Sequence, residues 1–312
     1  MISVAMLDNQ DTGPTITRAD VLHIGYPKAA STFLGLFLDA HPQVTTDHNC
    51  LIPLLRAHRL ADLPPATAKP FANKIHVCRD ENIAESVCVV GDLNNWQRYK
   101  YVPGAWSRVK NDVSLDPSEA ALRLHRVHSH AKIVLLIREQ ADWIQSAYKY
   151  AMSRLPARRR SFSDFCTTPV GVALLKAGHF HETINAYMAV FGRDRLLVLR
   201  SEDIVKAPER FTSVLCAFIG ISQSLLPQSR ANETHTQIAR IQRLFPIIER
   251  LPTNVKGALK SYVGPFIPGR RKPILSSHDL AILHSIYAGS NRHTEQLIDQ
   301  LPRNQNGCRT SL

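Results

Sequence analysis

Val21-Leu22-His23-Ile24-Gly25-Tyr26-Pro27-Lys28-Ala29-Ala30-Ser31-Thr32-Phe33-Leu34-Gly35-Leu36-Phe37-Leu38 is the stretch whose reading decides the fold. Val21 to Gly25 is a short apolar strand, and the Gly-Tyr-Pro that follows ends its pairing because proline has no N–H to give. A helix begins at Ser31. Phe33, Leu34, Leu36, Phe37 and Leu38 make it apolar all round, which predicts burial. His41-Pro42 stops it. A strand, a tight loop and a buried helix in that order aim free backbone N–H groups and a positive helix end at one spot, which is an anion site. Pro27, Lys28, Ala29, Ala30, Ser31 and Thr32 would line it, with Lys28 adding a point charge and Ser31 and Thr32 adding hydroxyl donors.

The spacing departs from the nucleoside-triphosphate loop G-x-x-x-x-G-K-[ST], in which Lys directly precedes the hydroxyl residue that holds magnesium. Ala30 stands at the second Gly and Ser31 at the Lys, while the basic residue comes three positions earlier. No magnesium requirement is evident in such a loop.

Further along, Lys74 to Cys78 and Val87 to Val90 read as strands, and Asp62-Leu63-Pro64-Pro65 as a loop. Asp116-Pro117-Ser118-Glu119 is a helix start with an Asp N-cap, Pro at N1 and Glu at N3. Ile133 to Ile137 is an apolar run suited to the middle of a parallel sheet covered on both faces. A helix over 142–152 and a buried strand at Leu196 to Leu199 follow. Strand and helix alternate, so a single α/β domain with a central parallel sheet flanked by helices is expected over 19–301. Residues 1–18 read as a flexible polar lead-in and 302–312 as a flexible tail. Beyond about residue 205 the pattern is helical and irregular.

Pro27-Lys28-Ala29-Ala30-Ser31-Thr32 resembles the 5'-phosphosulfate loop of the sulfotransferases that use 3'-phosphoadenosine 5'-phosphosulfate (PAPS), and His41-Pro42 after the helix is also typical of them. The resemblance implies a second element: an Arg ending a buried strand, a Ser eight residues later and a Tyr two after that. Arg138, Ser146 and Tyr148 fit it. In the family these residues hold the 3'-phosphate; a guanidinium fork and a hydroxyl suit that dianion. The family usually has Pro two residues after the Arg and often a further Arg; this chain has Gln140 and Trp143, which bears on helix entry rather than on phosphate contacts. His179 to Asp203 resembles the family's later strand, with Glu202 structural. Gly269-Arg270-Arg271 resembles its basic loop over the nucleotide. The resemblance implies PAPS as donor, no metal, and an acceptor hydroxyl or amine on a saccharide or glycolipid. The acceptor pocket would be built by loops at 43–73, 91–115 and 150–175.

Sulfuryl transfer needs a base for the acceptor proton. Glu81 after the strand at 74–78 comes first and Asp92 after Val87 to Val90 second, because the C-terminal strand edge faces the ligand crevice. His76 and His48 are further candidates, although His76 lies inside an apolar strand and reads as a core residue.

Composition bounds the rest. The 312 residues are 44% apolar, enough for a full core, and carry a formal net charge of +12. That field attracts polyanions, among them a phosphorylated nucleotide, an acidic glycan or an anionic membrane. Nucleic-acid binding is unsupported, since no basic stripe is interleaved with aromatics. No apolar run is long enough to span a bilayer and no signal sequence is evident, so a cytoplasmic protein is expected. The six cysteines form no C-x-x-C pair, which speaks against a zinc knuckle or a dense disulfide framework. His125, His128 and His130 read as solvated helix surface rather than a metal set. Arg154 and Arg158-Arg159-Arg160 form a basic loop that suits either an acidic acceptor or solubility. A nucleotide kinase and a non-catalytic nucleotide-binding relative remain as alternatives.

Overall fold

The computed structural model describes residues 16–48, 50–51, 54–55, 60–63, 66–67, 73–80, 116–154, 161–223 and 275–301. The expected strand at Val87 to Val90 and the candidates Glu81, Asp92, Gly269, Arg270 and Arg271 lie outside them, as do Arg158 to Arg160 and the tail.

The core is one five-stranded sheet, ordered β3 (Val44–His48), β5 (Ile75–Arg79), β2 (Val21–His23), β6 (Lys132–Ile137) and β7 (Leu196–Arg200). Every pairing in it is parallel. A two-stranded piece, β1 (Ile16–Thr17) with β4 (Ala66–Thr67), lies beside it, so the last residues of the polar lead-in are paired. Helix α1 (Ser31–Ala40) follows β2 and packs against β3. Helix α2 (Pro117–Val127) precedes β6 and packs on α6, and α3 (Gln140–Arg154) follows β6. Short α4 (Phe162–Cys166) and α5 (Pro169–Ala177) lead to α6 (Phe180–Phe191), which covers β6 and β7. After β7 come α7 (Ser201–Lys206) and α8 (Pro208–Ile219), and α9 (Ser277–Gln300) packs on α6 and α3.

Local chemistry explains these boundaries. Asp116 caps α2 by accepting from the Ser118 N–H at 2.8 Å, with Pro117 in the first turn. Ser276 and Asp279 form a capping box at the start of α9. Ile133 to Ile137 are all buried, as a strand covered on both faces requires.

Several expectations change. Helix α1 is not apolar all round in its setting: Leu34, Phe37 and Leu38 are buried, but Leu36 is 38% exposed because only one face meets the sheet. The stretch 43–73, expected as a variable loop, contains β3, whose β-branched Val44, Thr45 and Thr46 suit an edge strand. Leu60–Asp62 is a 3-10 turn. The described residues of 150–175 are largely helical, in α3, α4 and α5. His128 is buried rather than solvated, because the chain turns inward at the end of α2. Its Nδ1 accepts from the Ala19 N–H at 3.1 Å. Burial, and then the charges of His76 and Arg18, lower its pKa to about 4.

Candidate active site

Strand order reverses between β2 and β6. From β2 the chain goes out to the edge at β3, comes back to place β5 between them, then passes to β2's other side for β6 and β7. A crevice opens at the C-terminal ends of strands at such a switch point. Both expected phosphate elements leave from these two ends. The Ile24 N–H donates to the Val134 carbonyl (3.0 Å) and the Tyr26 N–H to the Leu136 carbonyl (3.2 Å), so the chain beyond β2 stays clamped to β6 up to the loop.

The loop itself is strained. Lys28 has φ 68° and Ala30 φ 64°, and both are non-glycine residues in the left-handed region. Each such residue costs about 1–2 kcal/mol and persists only where its surroundings fix it. Ala30 is the N-cap of α1, and no side chain caps the helix. The Phe33 and Leu34 N–H groups donate to the Ala30 carbonyl at 3.0 and 3.4 Å, so the amides of Ser31 and Thr32 are the ones this helix start offers an anion. Lys28 is exposed, Thr32 is exposed, and Pro27 and Ala29 are buried. Ser31 is also buried, and its hydroxyl lies 3.4 Å from the Tyr26 carbonyl.

Two packed aromatics hold this geometry. Tyr26 is fully buried, meets Trp143 edge-on at 5.2 Å and shares a 2.9 Å hydrogen bond with Thr183 on α6. Trp143, also fully buried, donates its indole N–H to the Pro27 carbonyl at 2.7 Å. The sequence marked Trp143 only as a departure from a family pattern; tertiary structure makes it the tether of the phosphate loop. Gly25 serves the same close packing, since a Cβ there would lie 2.7 Å from the His23 Nε2. Burial, and then Arg79, push the His23 pKa down to about 3, so the ring beneath the loop is neutral.

Arg138 sits at the end of β6, and its Nη1 lies 3.5 Å from the Lys28 carbonyl. The two elements, 110 residues apart in sequence, thus border one crevice. Asp142, one turn on, faces Arg138 at 3.5 Å in a partly exposed ion pair. The entry to α3, where the family's proline is missing, is built from carboxylates. Glu139 accepts from the N–H groups of Ala141 (3.1 Å) and Asp142 (2.7 Å), and Glu202 accepts from the Glu139 N–H (3.0 Å). Glu202 is therefore structural, as expected. Ser146 is half-buried further along α3. Tyr148 is buried against Phe162 and Phe165 and is a packing residue.

Among the candidate bases, His76 is 3% exposed and set back from the strand end. Its Nδ1 contacts the Arg18 carbonyl and its Nε2 contacts Asp47, each at 2.9 Å. Its ring is thus engaged on both sides within the sheet. His48 lies on the edge strand, where its ring meets Arg79 and Asp39. The end of β5 is locked beside β2 by the Asp80 N–H, which donates to the His23 carbonyl at 2.9 Å.

No helix among the described residues is long and apolar enough to cross a membrane. No curated protein matches the chain in sequence. Among solved structures, a sulfotransferase from Alicyclobacillus acidocaldarius aligns at 18% identity and TM-score 0.45, over 76% of this chain and 95% of that one. The sulfotransferase domain of the Synechococcus PCC 7002 olefin synthase aligns at 16% identity and TM-score 0.35, over 89% and 97%. A sulfotransferase from Mycobacterium avium aligns at 10% identity and TM-score 0.40, over 89% and 76%. The sequence model of the sulfotransferase family matches residues 20–224, which span the loop, Arg138 and every strand of the central sheet. This chain belongs to the sulfotransferase family.

Proposed function

We propose that this protein transfers the sulfuryl group of PAPS to a hydroxyl, or an amine, of a saccharide or glycolipid acceptor. One observation carries the reading: Arg138 and the Lys28 loop border the same switch-point crevice, 3.5 Å apart at their nearest approach. Two cationic anchors around one crevice suit a nucleotide with phosphates at both its 3' and 5' positions. The amides of α1 and Lys28 would hold the 5'-phosphosulfate, with Pro27, Ala29, Ala30, Ser31 and Thr32 shaping the loop. Arg138 and Ser146 would take the 3'-phosphate, and Gly269, Arg270 and Arg271 would cover the nucleotide.

In the reaction the acceptor oxygen attacks sulfur in line, forming an O–S bond as the bond from sulfur to the phosphate oxygen breaks. The leaving electron pair stays on that phosphate, where Lys28 and the loop amides stabilise it. The acceptor proton passes to a base, with Glu81 first in order and Asp92 next. A cytoplasmic location fits the free thiols of Cys50, Cys78, Cys166 and Cys216. The acidic donor, and an acidic acceptor or membrane surface, suit the net charge of +12.

Incubation with labelled PAPS and a panel of saccharide and glycolipid acceptors tests the proposal, with Glu81→Ala, Asp92→Ala and His76→Ala measured alongside. Thermal shifts with adenosine 3',5'-bisphosphate and with ATP plus magnesium accompany it. Stabilisation by the bisphosphate and label transfer are expected. Stabilisation only by ATP with magnesium would favour a kinase, and bisphosphate binding with no transfer to any acceptor would favour a non-catalytic relative.

A further inference from the structure

On the face of β3 and β5 turned away from α1, three side chains with metal-binding atoms converge. The parallel register pairs Asp47 with Cys78 and Thr45 with His76, which puts Asp47, His76 and Cys78 on one side of the sheet. Their ligand atoms (Asp47 carboxylate oxygen, His76 nitrogen, Cys78 Sγ) all lie within 4.8 Å of one another. Cys50, just past the end of β3, adds a second sulfur. Its Sγ lies near Cys78, outside the group of three, and 3.8 Å from the Asp47 carbonyl.

The hydrogen bonds of His76 give this cluster its direction. The Arg18 carbonyl at 2.9 Å from Nδ1 can only accept, so Nδ1 carries a proton. In the neutral ring Nε2 is then a lone pair, and it faces a carboxylate oxygen of Asp47 at 2.9 Å. A proton there makes an imidazolium–carboxylate ion pair, and a metal ion in the proton's place would be held by both groups. A ring N–H fixed on a backbone carbonyl, with the other nitrogen turned to a carboxylate and a sulfur, is how a metal-binding histidine is oriented. We propose that Asp47, His76 and Cys78, with Cys50 as fourth ligand, bind a zinc ion. Two thiolates, one imidazole and one carboxylate make a closed tetrahedral set of the kind zinc takes in structural sites. Such a set spaces its ligand atoms about 3.3–3.8 Å apart, so Asp47, His76 and Cys78 need only small shifts, and the Cys50 side chain turns in to complete the set. Binding releases the thiol protons of Cys50 and Cys78 to solvent. Asp47, 57% exposed at its side chain, and the half-buried Cys50 leave a path for the ion to enter.

The zinc reading does not depend on the proposed reaction. The ion's role is structural: it ties the chain beyond β3 and the backbone at Arg18 to β5.

The test uses the full chain, purified without chelator, analysed for zinc, then stripped and titrated with Zn(II) and Co(II). One zinc per chain is expected, together with a cobalt form that shows thiolate-to-cobalt charge-transfer absorption. Zinc should raise the melting temperature of the wild type. Cys50→Ser and Asp47→Asn should weaken metal binding at least ~10-fold, Cys78→Ser should abolish the charge-transfer band, and Cys166→Ser should change neither. Cys78 is buried and its variant can lose the fold, so the Cys50 and Asp47 variants carry the decision. Unchanged metal affinity in those two, cobalt absorption without thiolate charge transfer, or a Cys50–Cys78 disulfide in place of the metal would overturn the proposal.

Discussion

Trp143→Phe removes one hydrogen bond and part of a fully buried ring. Phenylalanine keeps a ring against Tyr26 and Phe180, which lie 5.2 and 5.7 Å from the tryptophan ring. It leaves the Pro27 carbonyl, now bonded at 2.7 Å, without its donor. A buried acceptor stripped of its partner costs about 1–3 kcal/mol. The left-handed Lys28 and Ala30 store roughly 2–4 kcal/mol between them, so the tether and the strain it restrains are similar in size. Losing the tether should let the loop relax and misdirect its amides. We expect adenosine 3',5'-bisphosphate to bind about 10-fold more weakly, equivalent to about 1.4 kcal/mol. The melting temperature should fall by about 2–4 °C for each kcal/mol lost in a chain of this size. Titration calorimetry and thermal melts measure both. Phe191→Leu, a core change elsewhere on α6, serves as control, since it should lower the melting temperature and leave the affinity alone. Wild-type melting and wild-type affinity in Trp143→Phe would refute the tether; equal affinity losses in the two variants would show that the effect is general softening.

Four other outcomes follow from the same geometry. Lys28→Ala should lower kcat far more than it weakens product-nucleotide binding, and near-normal kcat in steady-state kinetics would remove Lys28 from the leaving-group role. Ala30→Gly should raise stability by up to about 1 kcal/mol in denaturant melts, because glycine adopts the left-handed N-cap without strain. Gly35→Ala should destabilise by roughly 1–2 kcal/mol despite better helix propensity, since the new Cβ would lie 1.9 Å from the Arg79 guanidinium that pairs with Asp39; an unchanged melt would mean that Arg79 moves freely. His23 and His128, with pKa values held at about 3 and about 4, bind fewer protons folded than unfolded below their ordinary value of 6.5. Stability therefore falls on acidification, by about 2 kcal/mol per histidine between pH 8 and pH 5, and a flat pH profile of chemical denaturation over that range would contradict their burial as neutral rings.

The sequence alone determined the parts that are local. The strand–loop–helix at Val21 to Ala40, the Asp116 cap and the buried run at Ile133 to Ile137 each declare themselves through periodicity, capping chemistry and apolar content over a few neighbouring residues. Alternation of those units was enough for a parallel α/β sheet. The edge strand β3 escaped notice because its Thr45, Thr46 and Asp47 look like loop residues until β5 pairs with them. Position across the sheet was likewise beyond the sequence. Only the strand order sets the ends of β2 and β6 side by side, brings Arg138 to the Lys28 loop and turns Trp143 from an exception into a tether. The same holds for Cys50 and Cys78. They share no spacing motif, and register between parallel strands gathers them with Asp47 and His76. Covalent neighbours reveal themselves through propensity, whereas partners joined through a sheet depend on which strand the chain returns to, and that is fixed by the packing of the whole domain.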